Sequence, residues 1–520
     1  MKGVWSNITK YMTDIFIFLI IVLFPLMVDE TGFFNILDCK FECFITISCI
    51  YLGSITLIVI YNLIRKNNIL NKKLSKIQII GLIFLLLNII SYFLSPFLKT
   101  HDLFIGVGRK EGLLTSCLYI LSFLYVSYFG EFRKRYILYF SISSILVNLI
   151  AILQFVGFNP FNMYQDGIGT HNVSFMTTIG NIDFISALFT MLITISFNAY
   201  IFLDNKKYEN VIHLLSVFMG SFIFQIINVS SGKLAFGVVL ILTLPFIFMT
   251  NKRLSNFLKM VSLVLLSTAV NIFINVEYHY DVGGLGFYFK FNYILLLLLI
   301  VVIVLYFLSR YLEKLEYDIT KSEKITKYYY LLLGVGTIFG LITLYIIPFK
   351  SGFLYEIHEL LHFNFDDDFG TYRIFLWKRT LPLIKDYPVF GSGPDTFVLR
   401  FMPLYSEDIA RIGPFSINDT SANIYLTMLI NLGISGTIIY IVFIVESIYM
   451  GIKKINKNVF VLLCAIICYC VQSFFNLSVV IVSPVFWVLL GINHLCVYEK
   501  KKEEKYEKEK RTWKRGIKFN

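Results

Sequence analysis

The sequence predicts an all-α protein, a polytopic integral membrane helix bundle. It has about 14 transmembrane helices and one large extracytoplasmic loop carrying short helices. Three observations predict this. The 520-residue chain is 57% hydrophobic and 15% charged, with a mean hydropathy of +0.72, whereas a soluble domain carries about 25% charged residues. Apolar runs of about 20 residues, enough to cross a bilayer, centre near residues 20, 53, 87, 121, 147, 191, 219, 241, 266, 299, 338, 437, 467 and 487. Lysines and arginines gather in every second connection between those runs.

The first run lacks a small-residue cleavage site and is followed by further spans, so it reads as a first helix rather than a removed signal. The connection after the second run holds Arg65, Lys66, Lys72, Lys73 and Lys76, and that after the fourth holds Arg133, Lys134 and Arg135. Lys206 and Lys207 follow the sixth run, Lys252 and Arg253 the eighth, and Arg310, Lys314, Lys321, Lys324 and Lys327 the tenth. Lys453, Lys454 and Lys457 follow the twelfth, and residues 500–518 are strongly basic. The intervening connections are poor in Lys and Arg, and the first carries Asp29, Glu30 and Asp38. Cytoplasmic connections retain positive charge, so both termini are expected in the cytoplasm of a cell-membrane protein, with the long connection outside.

The chain then divides into a bundle of about eleven spans at 1–348, an extracytoplasmic loop at 349–423, about three spans at 424–498 and a basic cytoplasmic tail at 499–520. The tail reads as a topology anchor drawn to anionic lipid heads. The net charge of +12 does not imply nucleic acid, because the basic residues form short clusters between spans. Cys43, Cys49, Cys117, Cys464, Cys468 and Cys470 lie in apolar runs without metal-ligand spacing and read as packing.

The polar chemistry concentrates in the outward connections. His358, Glu359 and His362 spell HELLH, a literal match to the H-E-x-x-H zinc motif. A third ligand and a substrate cleft are not evident, so no metal is expected, and a membrane metalloprotease stands as a rival reading. Apolar residues at 374, 375, 377 and 381 predict an amphipathic helix on the membrane surface, with Arg373 at its start on the polar side. An arginine fork donates paired hydrogen bonds and stays charged, which suits a diphosphate. GVGRKEGLL places Arg109 and Glu111 before the fourth span, TTIGNIDFIS places Asn181 and Asp183 at the start of the sixth, and SSGKLAF places Lys233 at the start of the eighth. Glycines beside helix starts let a phosphate approach free backbone N–H groups.

These segments, together with RIFLWKRTLPLIKDYPVFGSGPDTF and DTSANIYLTMLINLGISGTIIY, resemble in order and spacing the O-antigen ligase and polymerase-like membrane proteins (WaaL and Wzy type). GVGRKEGLLT is similar to that family's early arginine-glycine segment, TIGNIDFISA to its glycine-asparagine segment, and SSGKLAFG to its Ser-Arg-Gly segment with Lys233 for the arginine. The family's Asp-Lys-Ala-His-Asn stands here as Asp419-Thr420-Ser421-Ala422-Asn423, so Ala422 occupies the place of the histidine that serves the ligases as base. Asp419, Asp395, His358 and His362 are the substitutes, or the chain is an inactive or repurposed member.

The resemblance implies an inverting, metal-independent glycosyltransferase without a cofactor. It would move a glycan from undecaprenyl diphosphate to an acceptor sugar hydroxyl at the outer face of the cytoplasmic membrane, in cell-surface polysaccharide biosynthesis. Arg373 and Arg109 would hold the diphosphate, and Asp419 would act as base or position the acceptor. Lys233, Arg379, Arg400, Gly391, Gly393 and Asn423 would complete the substrate site. The implied partners are a lipid-linked oligosaccharide, the bilayer, a flippase and a chain-length regulator. The alternative class is a lipid-linked oligosaccharide flippase, which needs charged residues inside both halves of the bundle. Ionisable groups within spans are few (Asp14, Asp183, Glu446), and no repeat is evident.

Overall fold

The computed structural model describes residues 2–67, 70, 72–163, 177–279, 284–315, 323–349, 353–367, 369–412 and 419–498. The basic tail, Lys321, Asp368 and the side chains of Lys324, Lys327 and Arg411 lie outside the described residues. The helices run α1 (Lys2–Phe18), α2 (Ile36–Ile64), α3 (Lys76–Phe93), α4 (Leu113–Phe129), α5 (Arg135–Phe155), α6 (Ile182–Phe202), α7 (Lys207–Ile227), α8 (Ser230–Ile247) and α9 (Asn251–Phe273). They continue as α10 (Tyr293–Lys314), α11 (Glu323–Ile346), α12 (Phe353–Leu361), α13 (Phe369–Thr380), α14 (Phe397–Ile412), α15 (Ile424–Lys453), α16 (Lys457–Ser473) and α17 (Ser483–Tyr498). Between α9 and α10 an antiparallel hairpin pairs Ile274–His279 with Gly284–Phe289.

Among the described residues ten helices are long and apolar enough to cross a membrane: α1 with its continuation to Leu26, α2, α3, α5 to α10, and α15. The remaining expected spans fall on shorter apolar helices, namely α4, Gly334–Ile346 of α11, α16 and α17. The chain is a multi-pass membrane protein.

Ion pairs gather the predicted cytoplasmic connections at one end of the bundle. Asp14 on α1 takes Arg133 and Arg135 at 2.6 and 2.7 Å. Lys134 meets Glu209 at 3.1 Å, Lys457 and Lys252 meet Asp204 at 2.6 and 3.5 Å, and Lys76 meets Glu446 at 3.0 Å.

At the centre stands α6, buried from Phe184 to Phe202. Lipid supplies no hydrophobic drive between helices, so small and hydroxyl side chains hold such a centre together. Thr190 donates to Gln472 Oε1 at 2.8 Å, and Gln472 Nε2 donates to Ser186 at 3.0 Å, locking α6 to α16. Ser196 bonds Ser141 on α5 and Ser216 on α7. The start of α6, with Asp183, is thereby fixed at the end of the bundle opposite the basic connections.

Two spans are broken, and each break is satisfied by the protein. Past α1 the chain tightens through a 3-10 turn, Phe24–Leu26, that contains Pro25. Lys40 on α2 donates to the freed carbonyls of Phe24 and Pro25, both at 2.8 Å. The second break is at Gly433 in α15, where φ is +67° and ψ is −171°. A backbone group left unpaired at membrane depth costs several kcal/mol. The segment Pro388–Gly393 supplies the partners: Ser392 and Gly393 donate their N–H groups to Ile430 O and Asn431 O at 2.9 Å each. Ile434 and Ser435 donate in return to Pro388 O at 2.8 Å and Val389 O at 3.1 Å.

The segment from α12 to α14 has its own small core of Phe375, Leu376, Leu383, Phe397, Phe401 and Ile409, with Ile430 from α15. This corrects the expectation of a surface helix at 374–381. The apolar pair Phe375 and Leu376 is buried by α14, whose matching apolar face lies some twenty residues further along the chain. Helical periodicity reports an apolar face but not whether lipid or protein covers it.

Candidate functional site

The site forms at the end of the bundle away from the basic connections. The connection into α4 carries Arg109 and Glu111. Asp395, at φ +57° behind the GSGP turn, holds that connection from across the fold. One of its oxygens accepts the N–H groups of Gly108 and Arg109 at 2.9 Å and of Glu111 at 3.3 Å. Burial raises the Asp395 carboxyl to about 6, against the opposing pull of those three bonds. Asp395, a substitute base by sequence, is in this geometry the clamp that shapes the Arg109 connection.

Arg109 donates through Nε to Asp419 Oδ2 at 2.5 Å, and its guanidinium lies 5.6 Å from the centre of the Phe184 ring. Arg373 reaches the same turn of α6 from the other side. Its Nη2 is 3.6 Å from Asp183 Oδ1, its Nε donates to Phe475 O at 3.0 Å, and its Nη1 donates back to Gly370 O at 2.8 Å. The two arginines thus meet neighbouring residues, Asp183 and Phe184, in the first turn of α6. Trp377, one turn beyond Arg373, donates to Ser421 O at 3.0 Å and ties α13 to the Asp419–Asn423 segment.

The connection 474–482 between α16 and α17 threads through this assembly and was not singled out in the sequence. Phe475 takes Arg373, Asn476 donates to Asp183 O at 2.8 Å, and Ser478 donates to Glu111 Oε2 at 2.7 Å. Its signal was the short polar interruption Asn476-Leu477-Ser478 in an otherwise apolar stretch. Glu111 also accepts from Tyr119 on α4 at 2.6 Å, and burial raises its carboxyl to about 7 despite these two bonds.

Two hollows flank the arginines. A cavity is lined by Arg109, Glu111, Asp395 and Thr420 together with aromatic and aliphatic side chains, Tyr119, Leu432 and Trp487 among them. An apolar groove is lined by Ile357, Leu360, Phe369, Ile374, Trp377 and Phe474, with Arg373 at its wall.

The other candidates serve elsewhere. Lys233 donates to Asn228 Oδ1 on the adjacent α7–α8 turn, and no described contact joins it to either arginine, although Ser230 and Ser231 on its helix line the groove. Arg379 pairs with Asp367 at 3.0 Å and Asp408 at 3.2 Å and lies 3.6 Å over the Phe375 ring. Arg400 is buried against Leu383 O and Asp386. Both arginines brace the small core. Asn423 caps α15, accepting from Tyr425 and Leu426 at 3.0 and 3.1 Å. Gly391 and Gly393 build the turn that docks into α15. His358 and His362 point Nδ1 at backbone carbonyls, at 2.8 Å each, and the His362 ring stacks on Tyr345. No group of three or more metal-ligating side chains stands together among the described residues. Ala422, at φ +51°, packs against the small core.

Residues 292–441 match the O-antigen ligase family. No curated protein sequence matches the chain. The match supports an O-antigen ligase/polymerase-like family, as the motifs implied. It runs from α10 to the middle of α15 and so contains Arg373, the GSGP turn, Asp419 and the Gly433 break. Arg109, Glu111 and Asp183 lie outside the matched stretch and join it through the contacts above.

If Asp419 exists to orient Arg109, the two act as one unit. Asp419→Asn is expected to lower activity about tenfold. Arg109→Ala should then cost less on that background than on the wild type, with a coupling of about 1 kcal/mol or more in a double-mutant cycle. Strictly additive losses would separate the two residues.

Proposed function

We propose that this protein is a polysaccharide polymerase or ligase-like glycosyltransferase that moves a glycan from undecaprenyl diphosphate to an acceptor sugar hydroxyl. The observation that supports it is the convergence of Arg109 and Arg373 on the first turn of α6. They stand opposite the basic end of the bundle, Arg109 lining the cavity and Arg373 the apolar groove. By the positive-inside rule this end faces outward, both termini are cytoplasmic, and the 349–423 connection is extracytoplasmic. The apolar groove suits the lipid tail, and the charged and aromatic side chains of the cavity suit a sugar.

In this reading the acceptor oxygen attacks the anomeric carbon from the face opposite the phosphate, and the carbon–oxygen bond to the diphosphate breaks. The electron pair leaves on the phosphate oxygen, so negative charge grows there. Two guanidinium groups positioned by Asp419, Asp183 and backbone carbonyls stabilise that charge. The ion partners are exchanged for the diphosphate when the donor binds. The base cannot be the residue that the ligases use, because Ala422 takes no proton.

The test uses the purified full-length chain in bilayer nanodiscs, supplied with a lipid-diphosphate-linked oligosaccharide repeat unit. Glycan chains longer than the supplied unit, with release of free lipid diphosphate in proportion, are the expected outcome. Movement of the unit between leaflets with no new glycosidic bond would replace this reading with the flippase.

A further inference from the structure

Glu111 is a carboxylate for which neither the sequence motifs nor the arginine geometry gives a use. We propose that Glu111 is the general base of the transfer, accepting the proton of the acceptor hydroxyl in the position of chemistry that Ala422 leaves vacant. The inference rests on the transfer reading above.

The geometry supports it in three ways. Glu111 lines the cavity together with Arg109, so an acceptor sugar lodged there lies beside both the carboxylate and one of the guanidinium groups proposed for the leaving group. Its two oxygens are fixed by hydroxyl donors from different elements, Tyr119 Oη on α4 at 2.6 Å and Ser478 Oγ on the 474–482 connection at 2.7 Å. Each carboxylate oxygen has a further lone pair, so these bonds orient the group without exhausting it. Asp419 and Asp183 pair with Arg109 and Arg373 and do not line this cavity, and Asp395, which does line it, engages one oxygen with three backbone N–H groups.

In the step, the acceptor O–H bond breaks and its proton passes to Glu111 as the oxygen bonds the anomeric carbon. The electron pair of the broken glycosyl–phosphate bond stays on the lipid diphosphate. Glu111 then loses its proton to solvent or to the departing diphosphate.

The ionisable groups around Glu111 are Arg109 on its own connection, Asp395 behind the GSGP turn, Asp419 beyond Arg109, and the phenols of Tyr119 on α4 and Tyr469 on α16. Burial, with a smaller push from Asp395, holds the Glu111 carboxyl near 7. A base works deprotonated, so activity should rise with pH through about 7 and level above it. A general base contributes about 10²–10⁴-fold.

The experiment measures chain extension by the full-length protein in nanodiscs from pH 5.5 to 8.5. Glu111→Gln should lose about 100-fold or more in kcat with KM little changed and should lose the acid limb, while Glu111→Asp keeps a limb and part of the rate. Tyr119→Phe and Ser478→Ala each remove a donor that favours the ionised carboxylate, so each should move the limb to higher pH. That shift decides the matter if Glu111→Gln fails to fold. A Glu111→Gln protein with wild-type rate and pH profile, or donor variants with an unmoved limb, would overturn the base while leaving the transfer reading intact. A wild-type protein that forms no glycosidic bond would overturn both.

Discussion

Arg373→Ala is expected to abolish long-chain product while short lipid-linked units accumulate. The loss in kcat should be about 10²–10³-fold, the range found when one preorganised donor to a developing anion is removed. Arg373 is held by Phe475 O, Gly370 O and the Asp183 carboxylate, so its fork is already aimed before a donor arrives. Lysine supplies charge but not a planar fork, and Arg373→Lys should restore only part of the rate. Truncation also removes two bonds to backbone carbonyls, worth about 1 kcal/mol each. The melting temperature of the detergent-solubilised variant separates this structural cost from the catalytic one. An alanine variant that is as stable as the wild type and makes full-length chains would remove Arg373 from the site.

The sequence carried the bundle because lipid as solvent leaves a coarse signal: long apolar runs and the alternation of Lys and Arg. It also singled out Arg373, Arg109 and Asp419 as candidates, from motif glycines and helix starts. It did not carry the contacts that make them a site. Asp395 clamps the Arg109 connection across nearly three hundred residues of chain, and no local pattern encodes such a pairing. The use of Arg379 and Arg400 as braces depends on which carboxylates reach them, which spacing does not report. The 474–482 connection was hidden because its two polar residues, Asn476 and Ser478, interrupt an apolar stretch too briefly to change its hydropathy. Chain order alone did not place Glu111 opposite Ser478 either, since the two meet only when α4 packs beside α17.

Gly391→Ala is expected to be among the most disruptive substitutions in the protein, more so than the loss of any single ion pair. At Gly391 φ is +72°, and an added Cβ would lie 2.3 Å from Asn431 O and 2.5 Å from Gly433 N. Those neighbours are backbone and cannot rotate away. Gly433 faces the same contact, since its own Cβ would lie 2.5 Å from Gly391 N and from Val389 O. The two glycines interlock, and separating them frees the N–H groups of Ser392, Gly393, Ile434 and Ser435 at the break in α15. The combined cost should exceed about 4 kcal/mol, the range reserved for failures of packing and buried polar pairing. Gly237→Ala on α8 is the control: nothing lies within 4 Å of its Cβ, and alanine favours a helix by about 1 kcal/mol over glycine. Thermal unfolding of the solubilised proteins should place Gly391→Ala far below the wild type and Gly237→Ala at or above it. Equal melting temperatures for Gly391→Ala and the wild type would refute the interlock. The same turn delivers Asp395 to the Arg109 connection four residues later, so undocking it also releases the clamp on Arg109 and Glu111. A Gly391→Ala protein rescued at low temperature should therefore bind the lipid-linked donor through Arg373 yet extend chains poorly.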